Sequence, residues 1–253
     1  MKFDLTTIEK SKSDIKRGIK LPTSLNKELA EFIGIMIGDG HLRYSIGKQR
    51  RGTKLVRSDI IIAGNSAETS YLSYIQELFY SLFNHNLSHE KDKRSNTVLL
   101  NAHSKGIVQF LNKSCEIPLN KKTDIVAIPE IIKASSSNIK YAFLRGLADT
   151  DFTVTFKNKT NKGHNYPVIK ASFKSKKLVE DLEKLYREIG FKYCVIYDLV
   201  QKDYRFGPVI MNQIYLNGRK NFAKWLNRIG FSNYKFKRKI AKWQNDGVCP
   251  PGY

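Results

Sequence analysis

Phe32-Ile-Gly-Ile-Met-Ile-Gly-Asp-Gly40 and Leu144-Arg-Gly-Leu-Ala-Asp-Thr-Asp-Phe152 are the two stretches on which the reading of this chain turns. Each has glycine at its third position, a small residue at its seventh and aspartate at its eighth. Each leads from an apolar, helix-like segment into alternating polar and apolar residues. On a helix the third and seventh positions share a face, so Gly34 lies with Gly38 and Gly146 with Thr150. Glycine inside a helix costs up to ~1 kcal/mol relative to alanine, but small residues at this spacing let two backbones approach closely. The spacing therefore predicts two helices packed on each other.

A helix C-terminus carries unpaired carbonyls and the negative end of the helix dipole. Two such ends side by side, each with an aspartate, repel unless a cation lies between them. Mg²⁺, or another divalent ion such as Mn²⁺, suits such a place, because it takes oxygen ligands and few carboxylates. Held there, it can activate water and stabilise charge on a phosphodiester.

Outward from the motifs, the order of elements repeats from Leu25 onward. The first copy reads as a helix at 26–38, alternation over His41–Ser45, and a Lys/Arg/Gly-rich loop at 47–57. A strand at 59–63, an amphipathic helix at 67–83, a strand at 97–100 and a helix around 107–111 follow. The second copy reads as a helix at 138–150, strands at 152–156 and 169–174, and a helix at 178–189. Strands near 193–200 and 209–216 and a helix at 222–226 complete it. Asp39 and Asp151 are 112 positions apart, while Asn112/Asn227 and Lys122/Lys237 are each 115 apart. The expected fold is α+β: two αββαββα repeats with pseudo-two-fold symmetry, motif helices at the centre and antiparallel sheets outside. The expected segments are a basic extension (1–24), a first repeat (25–133) and a second (134–253). The extension carries Lys10, Lys12, Lys16, Arg17 and Lys20, and reads as an arm that either lies on phosphate or is solvated.

The formal charge of +21 over 253 residues favours a polyanionic partner, nucleic acid above all. The strand faces agree with that. His41, Arg43 and Ser45 follow Asp39 in steps of two, and Thr153, Thr155 and Lys157 follow Asp151. Lys170, Ser172 and Lys174 alternate with apolar residues in the same way. With Arg57 in the basic loop, these are the candidate DNA-binding residues, offered on one sheet face while the other packs on helices. Three cysteines without CxxC spacing predict a reducing compartment, such as cytoplasm, nucleoid or organelle matrix. No apolar run approaches the ~20 residues of a membrane span, so no membrane association is expected. His85 and His89 lie in a polar stretch and read as surface residues rather than zinc ligands. Trp225 and Trp243 read as packing residues.

The paired segments resemble the motifs of the LAGLIDADG homing endonucleases in the single-chain form that holds both copies. The resemblance runs for about 220 residues, from Leu25 to Asn245, and includes Ile128-Pro-Glu-Ile-Ile132 and Phe143-Leu-Arg-Gly-Leu147. It implies an intron-encoded, monomeric, site-specific endonuclease whose sheets form a saddle over duplex DNA and which hydrolyses both strands at a long target. Motif position eight maps the catalytic, metal-binding carboxylates to Asp39 and Asp151, with the carbonyls of Gly38 and Thr150 as further ligands. Asp149 is a rival to Asp151, but it aligns with apolar Ile37. The family's lysine near the metals maps to Lys122 and Lys237, with Lys174 as a third candidate. A glutamine common in the family falls at Gly64, and Phe152 stands where glycine is usual. The same architecture also serves RNA-splicing maturases acting on a host intron, and a catalytically degenerate DNA-binding protein is a third reading. An intein setting is not expected, since the chain ends Pro250-Pro-Gly-Tyr253 without a His-Asn pair.

Overall fold

The computed structural model describes residues 2–48, 54–91, 95–159, 163–203 and 207–253. Its first half runs α1 (Lys12–Lys16), α2 (Lys27–Ile37), β1 (Gly40–Lys48), β2 (Lys54–Asn65), α3 (Thr69–Phe83), β3 (Ser88–Lys91), β4 (Thr97–His103) and α4 (Lys105–Lys113). After a short α5 (Glu130–Lys133), the second half runs α6 (Ser137–Asp151), β5 (Phe152–Lys157), β6 (Tyr166–Phe173), α7 (Lys176–Glu188), β7 (Cys194–Asp203), β8 (Gly207–Asn217), α8 (Gly218–Arg228) and α9 (Tyr234–Asp246). The two four-stranded antiparallel sheets have equivalent orders, β1-β2-β4-β3 and β5-β6-β8-β7. The αββαββα unit is thus present twice, in an α+β fold.

The motif helices α2 and α6 pack on each other through their glycines. A Cβ placed on Gly34 would lie 2.2 Å from the Phe143 carbonyl oxygen, and one on Gly146 would lie 2.0 Å from that of Glu31. Each glycine therefore rests directly on the other helix's backbone, as the spacing predicts. Around this contact, Phe32, Ile33, Ile35, Met36, Phe143, Leu144 and Leu147 are fully buried. An ion pair between buried Glu31 and half-buried Arg145 crosses the seam. Glu31 accepts hydrogen bonds from Arg145, from the Tyr74 hydroxyl at 2.8 Å and from the Ser232 hydroxyl at 2.9 Å.

Alternation sets which sheet face is covered. Leu42, Ile60, Ile62, Leu100 and Ala102 turn into the core, as do Val154, Ile169 and Leu216 with Phe152, Ala171 and Ile214. Helix α4 packs on β1 and β2, and α7 and α8 on β6 and β8. Residues of the other parity form the opposite face, which is mostly polar but includes Ile61 and buried Val168. Trp225 is fully buried against Phe152 and Tyr186, and Trp243 stacks on Phe156, so both tryptophans are packing residues.

Four local expectations change. The basic segment at 47–57 is largely strand: β1 reaches Lys48 and β2 starts at Lys54, which puts Arg57 on β2, while residues 49–53 lie outside the described ones. Backbone pairing of a long hairpin needs no apolar side chains, so composition alone read as a loop. His89 sits on β3, whose residues are all exposed and show no alternation. Helix α9 follows the repeated unit and has no counterpart in the first copy. The extension is not a free arm. Phe3 packs edge-on against Phe110 at 5.2 Å, Ile19 is buried, and buried Asp14 accepts from the Gly106 N–H at 3.0 Å. Among the described residues no helix is long and apolar enough to cross a membrane.

Gly34→Ala or Gly146→Ala should each destabilise the fold by about 1–3 kcal/mol or more, because the new methyl meets backbone that cannot yield. Gly64→Ala should cost less, since its Cβ would meet only the end of the Leu72 side chain. Urea unfolding of the three variants checks this.

Candidate active site

The helix contact continues to the C-terminal ends of α2 and α6, and the two aspartates come with it. A Cβ on Gly38 would lie 2.0 Å from Thr150 Oγ1 and 2.7 Å from Asp151 Oδ2. Asp151's carboxylate therefore lies against the residue that precedes Asp39. The ends are not identical. Helix α2 stops at Ile37, with Gly38 as its cap and Asp39 in the following turn, whereas α6 stays helical through Asp151. Phe152 explains the difference. It leaves the helix in extended conformation and buries its ring against Phe173 and Trp225. At Gly40, by contrast, a Cβ would lie 2.5 Å from Met36 Cα.

Asp39 reaches solvent on one side and is crowded by protein on the other. Loss of water raises its pKa, Lys235 and Lys122 oppose that rise, and Glu68 adds to it. Asp151 is raised too, first by burial and then by the negative charge of Asp39, again opposed by Lys122 and Lys235. These are two carboxylates that feel each other across a shared site.

Lys122 comes from the segment joining the repeats. Asn120 ties that segment to β1, donating its N–H to the Leu42 carbonyl at 2.6 Å and accepting from the Tyr44 N–H at 3.1 Å. Lys122 then donates to the carbonyls of Met36 at 2.7 Å, Ile37 at 2.7 Å and Gly38 at 2.5 Å. All three ammonium protons thus meet the orphan carbonyls at the end of α2. Burial lowers the Lys122 pKa to about 8, against the pull of Asp151 and Asp39. The Gly38 carbonyl, expected as a metal ligand, is engaged by this lysine. The Thr150 hydroxyl bonds back to Leu147 O at 2.9 Å, which leaves its main-chain carbonyl as the donor at that position.

Lys237 does not accompany Lys122. It is exposed on α9, while Lys235, two residues earlier and so on the opposite side of the helix, faces the aspartates. Lys235 lines a cavity of about 320 Å³ with Asp39, Glu68, Asn65 and Tyr71, and its ammonium lies 3.4 Å from Glu68. The signal was available: Lys122 and Lys235 are 113 apart, nearer the 112 of the aspartates than the 115 of Lys237. Asp149 fixes Lys235 in place. Its carboxylate accepts from the N–H groups of Ser232 at 2.8 Å and Asn233 at 3.1 Å, and Asn233 caps α9 by accepting from Lys235 N at 3.1 Å. Burial raises the Asp149 pKa to about 7 against those bonds. Asp149 thus holds two elements together away from the Asp39/Asp151 pair.

The donor set at the junction is oxygen only: two carboxylates and nearby main-chain carbonyls. No group of three or more His, Cys, Asp or Glu residues that could hold a metal occurs among the described residues. Mutually repelling carboxylates with few further ligands fit Mg²⁺ or Mn²⁺, which complete their shells with water or phosphate oxygens. They do not fit zinc, and His85 instead lies beside the Phe79 ring.

The strand candidates share the polar face of their sheets. His41, Arg43 and Ser45 on β1 pair with Ile61, Asp59 and Arg57 on β2. Thr153, Thr155 and Lys157 on β5 are exposed, and Lys170 and Ser172 on β6 are half-buried. Lys174 is exposed one residue past the end of β6. The sequence did not single out Asp59, His103, Gln213 or Tyr215, which join this face through cross-strand pairing. The Lys170 ammonium lies 5.5 Å from the Tyr215 ring centre, and Gln213 reaches Ser172 Oγ at 3.4 Å.

Lys122→Met should lower stability by about 1–3 kcal/mol, the cost of leaving the acceptors of buried Met36 and Ile37 without a donor. Lys237→Met should change it by less than ~0.5 kcal/mol, as for an ordinary surface residue. Chemical denaturation of the two variants makes the comparison.

Residues 138–230 match the model of a LAGLIDADG-like domain. A stretch of 218 residues, 86% of this chain, is 27% identical to part of the replication factor C small subunit of Methanocaldococcus jannaschii. A stretch of 132 residues is 30% identical to part of an A-type ATP synthase subunit of Pyrococcus abyssi and covers 51% of this chain. The chain spans about a tenth of the length of these two proteins, 10% and 11%. Among solved structures, the homing endonuclease I-DmoI in complex with DNA and Mn superposes with a TM-score of 0.54 at 18% identity, covering 82% of this chain and 98% of that one. The LAGLIDADG homing endonuclease I-GzeII in complex with its DNA target gives a TM-score of 0.56 at 13% identity, covering 88% and 92%. I-LtrWI bound to target DNA gives 0.55 at 14% identity, covering 87% and 90%. The second half of this chain therefore carries a LAGLIDADG-like domain, and the chain as a whole has the two-motif fold of the LAGLIDADG homing endonucleases.

Proposed function

We propose that this chain is a site-specific endonuclease that hydrolyses both strands of a long duplex DNA target with Mg²⁺. The observation that carries the reading is the pair Asp39/Asp151, brought together at adjoining helix ends, raised by burial and flanked by two lysines. Asp39 and Asp151 would hold the divalent ion, with the Thr150 carbonyl and, if Lys122 yields, the Gly38 carbonyl beside them. When bound, the ion would supply an activated water and charge neutralisation at the scissile phosphate. Lys122 holds the end of α2, and with it the backbone that presents Asp39. Lys235 would face the phosphodiester and offset charge that develops during hydrolysis. The complexes of I-DmoI with DNA and Mn, and with DNA and Ca, support a divalent-metal reading. The polar sheet faces would lie in the grooves of the duplex, with the net charge of +21 supplying phosphate affinity. We further propose that the chain acts as a monomer and is intron-encoded. Its three free cysteines agree with a reducing, intracellular setting.

Selection of cleavable duplexes from a random-sequence pool in Mg²⁺ provides a target for the decisive comparison. Asp39→Asn and Asp151→Asn should keep binding and lose cleavage by at least ~10²-fold, a transition-state loss of about 2.7 kcal/mol. EDTA should abolish cleavage of either strand by the native protein. Lys235→Met should slow cleavage where Lys237→Met does not. Full activity in both aspartate variants would sink the mechanism.

Affinity for the selected duplex should fall by roughly 10³-fold or more between about 50 and 200 mM salt, as for proteins that neutralise several phosphates. A flat salt titration would contradict groove binding of this kind.

A further inference from the structure

Three strands of the first sheet bring Arg43, Asp59 and His103 into one row. Arg43 on β1 pairs with Asp59 on β2, which pairs with His103 on β4, all on the face away from the core. Asp59 is the unusual member, since its side chain is 1% exposed, against 45% for Arg43 and 67% for His103. A buried carboxylate is costly unless both oxygens are paired, and here they are. Oδ2 accepts from Arg43 Nε at 2.7 Å and lies 2.5 Å from Nη2, while Oδ1 lies 2.5 Å from His103 Nδ1. These bonds outweigh the burial and hold the Asp59 carboxyl below its ordinary range.

The pairing decides what Arg43 is suited to do. A phosphate contact uses a free positive charge, and the carboxylate of Asp59 cancels that of Arg43. With 44 Lys and Arg residues against 23 Asp and Glu, the chain does not lack free cations for phosphate. What Asp59 adds is orientation. It accepts from Nε–H and holds Nη2 in ion-pair contact, which fixes the guanidinium plane of a side chain still 45% exposed. It also sets the His103 ring. An ionised carboxylate only accepts, so Nδ1 carries the proton and Nε2 is left on the other side of the ring, an acceptor in its neutral form.

The row thus offers fixed donors at Arg43 and, with the ring neutral, an acceptor at His103. In the major groove a G·C pair shows two acceptors on guanine, N7 and O6, then a donor on cytosine, N4–H₂. An A·T pair places the adenine N6–H₂ donor where the guanidinium fork would meet it, which is the wrong match.

We propose that Arg43, Asp59 and His103 form a unit that reads one G·C base pair of the target, with Arg43 on guanine, His103 on cytosine and Asp59 as the positioning residue. The proposal rests on the duplex-DNA reading above. Its test is enrichment of bound duplexes from a random-sequence pool, without divalent metal, by the full chain and by Asp59→Asn, Arg43→Ala and His103→Ala. The native protein should show one position with a G·C preference of roughly tenfold or more, as a bidentate base contact gives. That preference should fall below about threefold in Arg43→Ala and Asp59→Asn and weaken in His103→Ala, with the other positions kept and the salt slope unchanged. If Asp59→Asn does not fold, the two exposed-residue variants decide alone. An unaltered profile in Arg43→Ala, with a salt slope reduced by about one, would make Arg43 a phosphate contact and overturn the proposal. If the native protein enriches no sequence, the duplex-DNA reading itself fails and the base-reading unit falls with it.

Discussion

Backbone against backbone, at Gly34 and Gly146, is the contact on which the rest of this molecule depends. Interiors are packed closely enough that one added methylene is felt, and here the Cβ positions on either side are already filled by the other helix's main chain. The same approach carries Gly38 onto Thr150 and Asp151, so the two carboxylates become neighbours as a consequence of helix packing. The glycines weaken each helix locally and make the crossing possible. The crossing in turn creates the electrostatic conflict that defines the site.

That conflict is eased from two directions, and neither lysine lies within a motif. The segment joining the repeats, pinned to β1 through Asn120, delivers Lys122 to the open carbonyls of α2. Helix α9, started by Asn233 and anchored by Asp149, delivers Lys235 from the far end of the chain. The two halves of the site are alike in their carboxylates and different in their cations. Lys122 is committed to three carbonyls, and Lys235 shares a looser contact with Glu68.

What could be read from residues alone follows from how far each signal extends along the chain. The glycine spacing and the placement of Asp39 and Asp151 are local patterns at helical period, and both helices form within a residue or two of expectation. The strand faces were legible for the same reason, since alternation is a property of a single strand. Lys235 was missed because the repeats drift in register, and an error of two residues on a helix selects the opposite face. Asp59 and His103 were missed for a deeper reason. Their meaning lies in which residue stands across the ladder, and no periodicity encodes that. Strand β3, short and exposed along its whole length, lacks the buried face that periodicity detects.

The ion pair of Glu31 with Arg145 has its own consequence for how two such repeats combine. At the 112-residue offset of the motifs, Glu31 stands opposite Phe143, and Arg145 opposite Ile33. The seam is therefore heterologous in its charges although nearly isologous in its backbone. Two copies of the first repeat, joined in the same way, would leave each buried Glu31 without its arginine, and two copies of the second would leave each Arg145 without its glutamate. Loss of the partner in both like pairings leaves the unlike pairing as the one that closes well. Each half carries one member of a charge pair, so neither half can serve as its own partner across this seam.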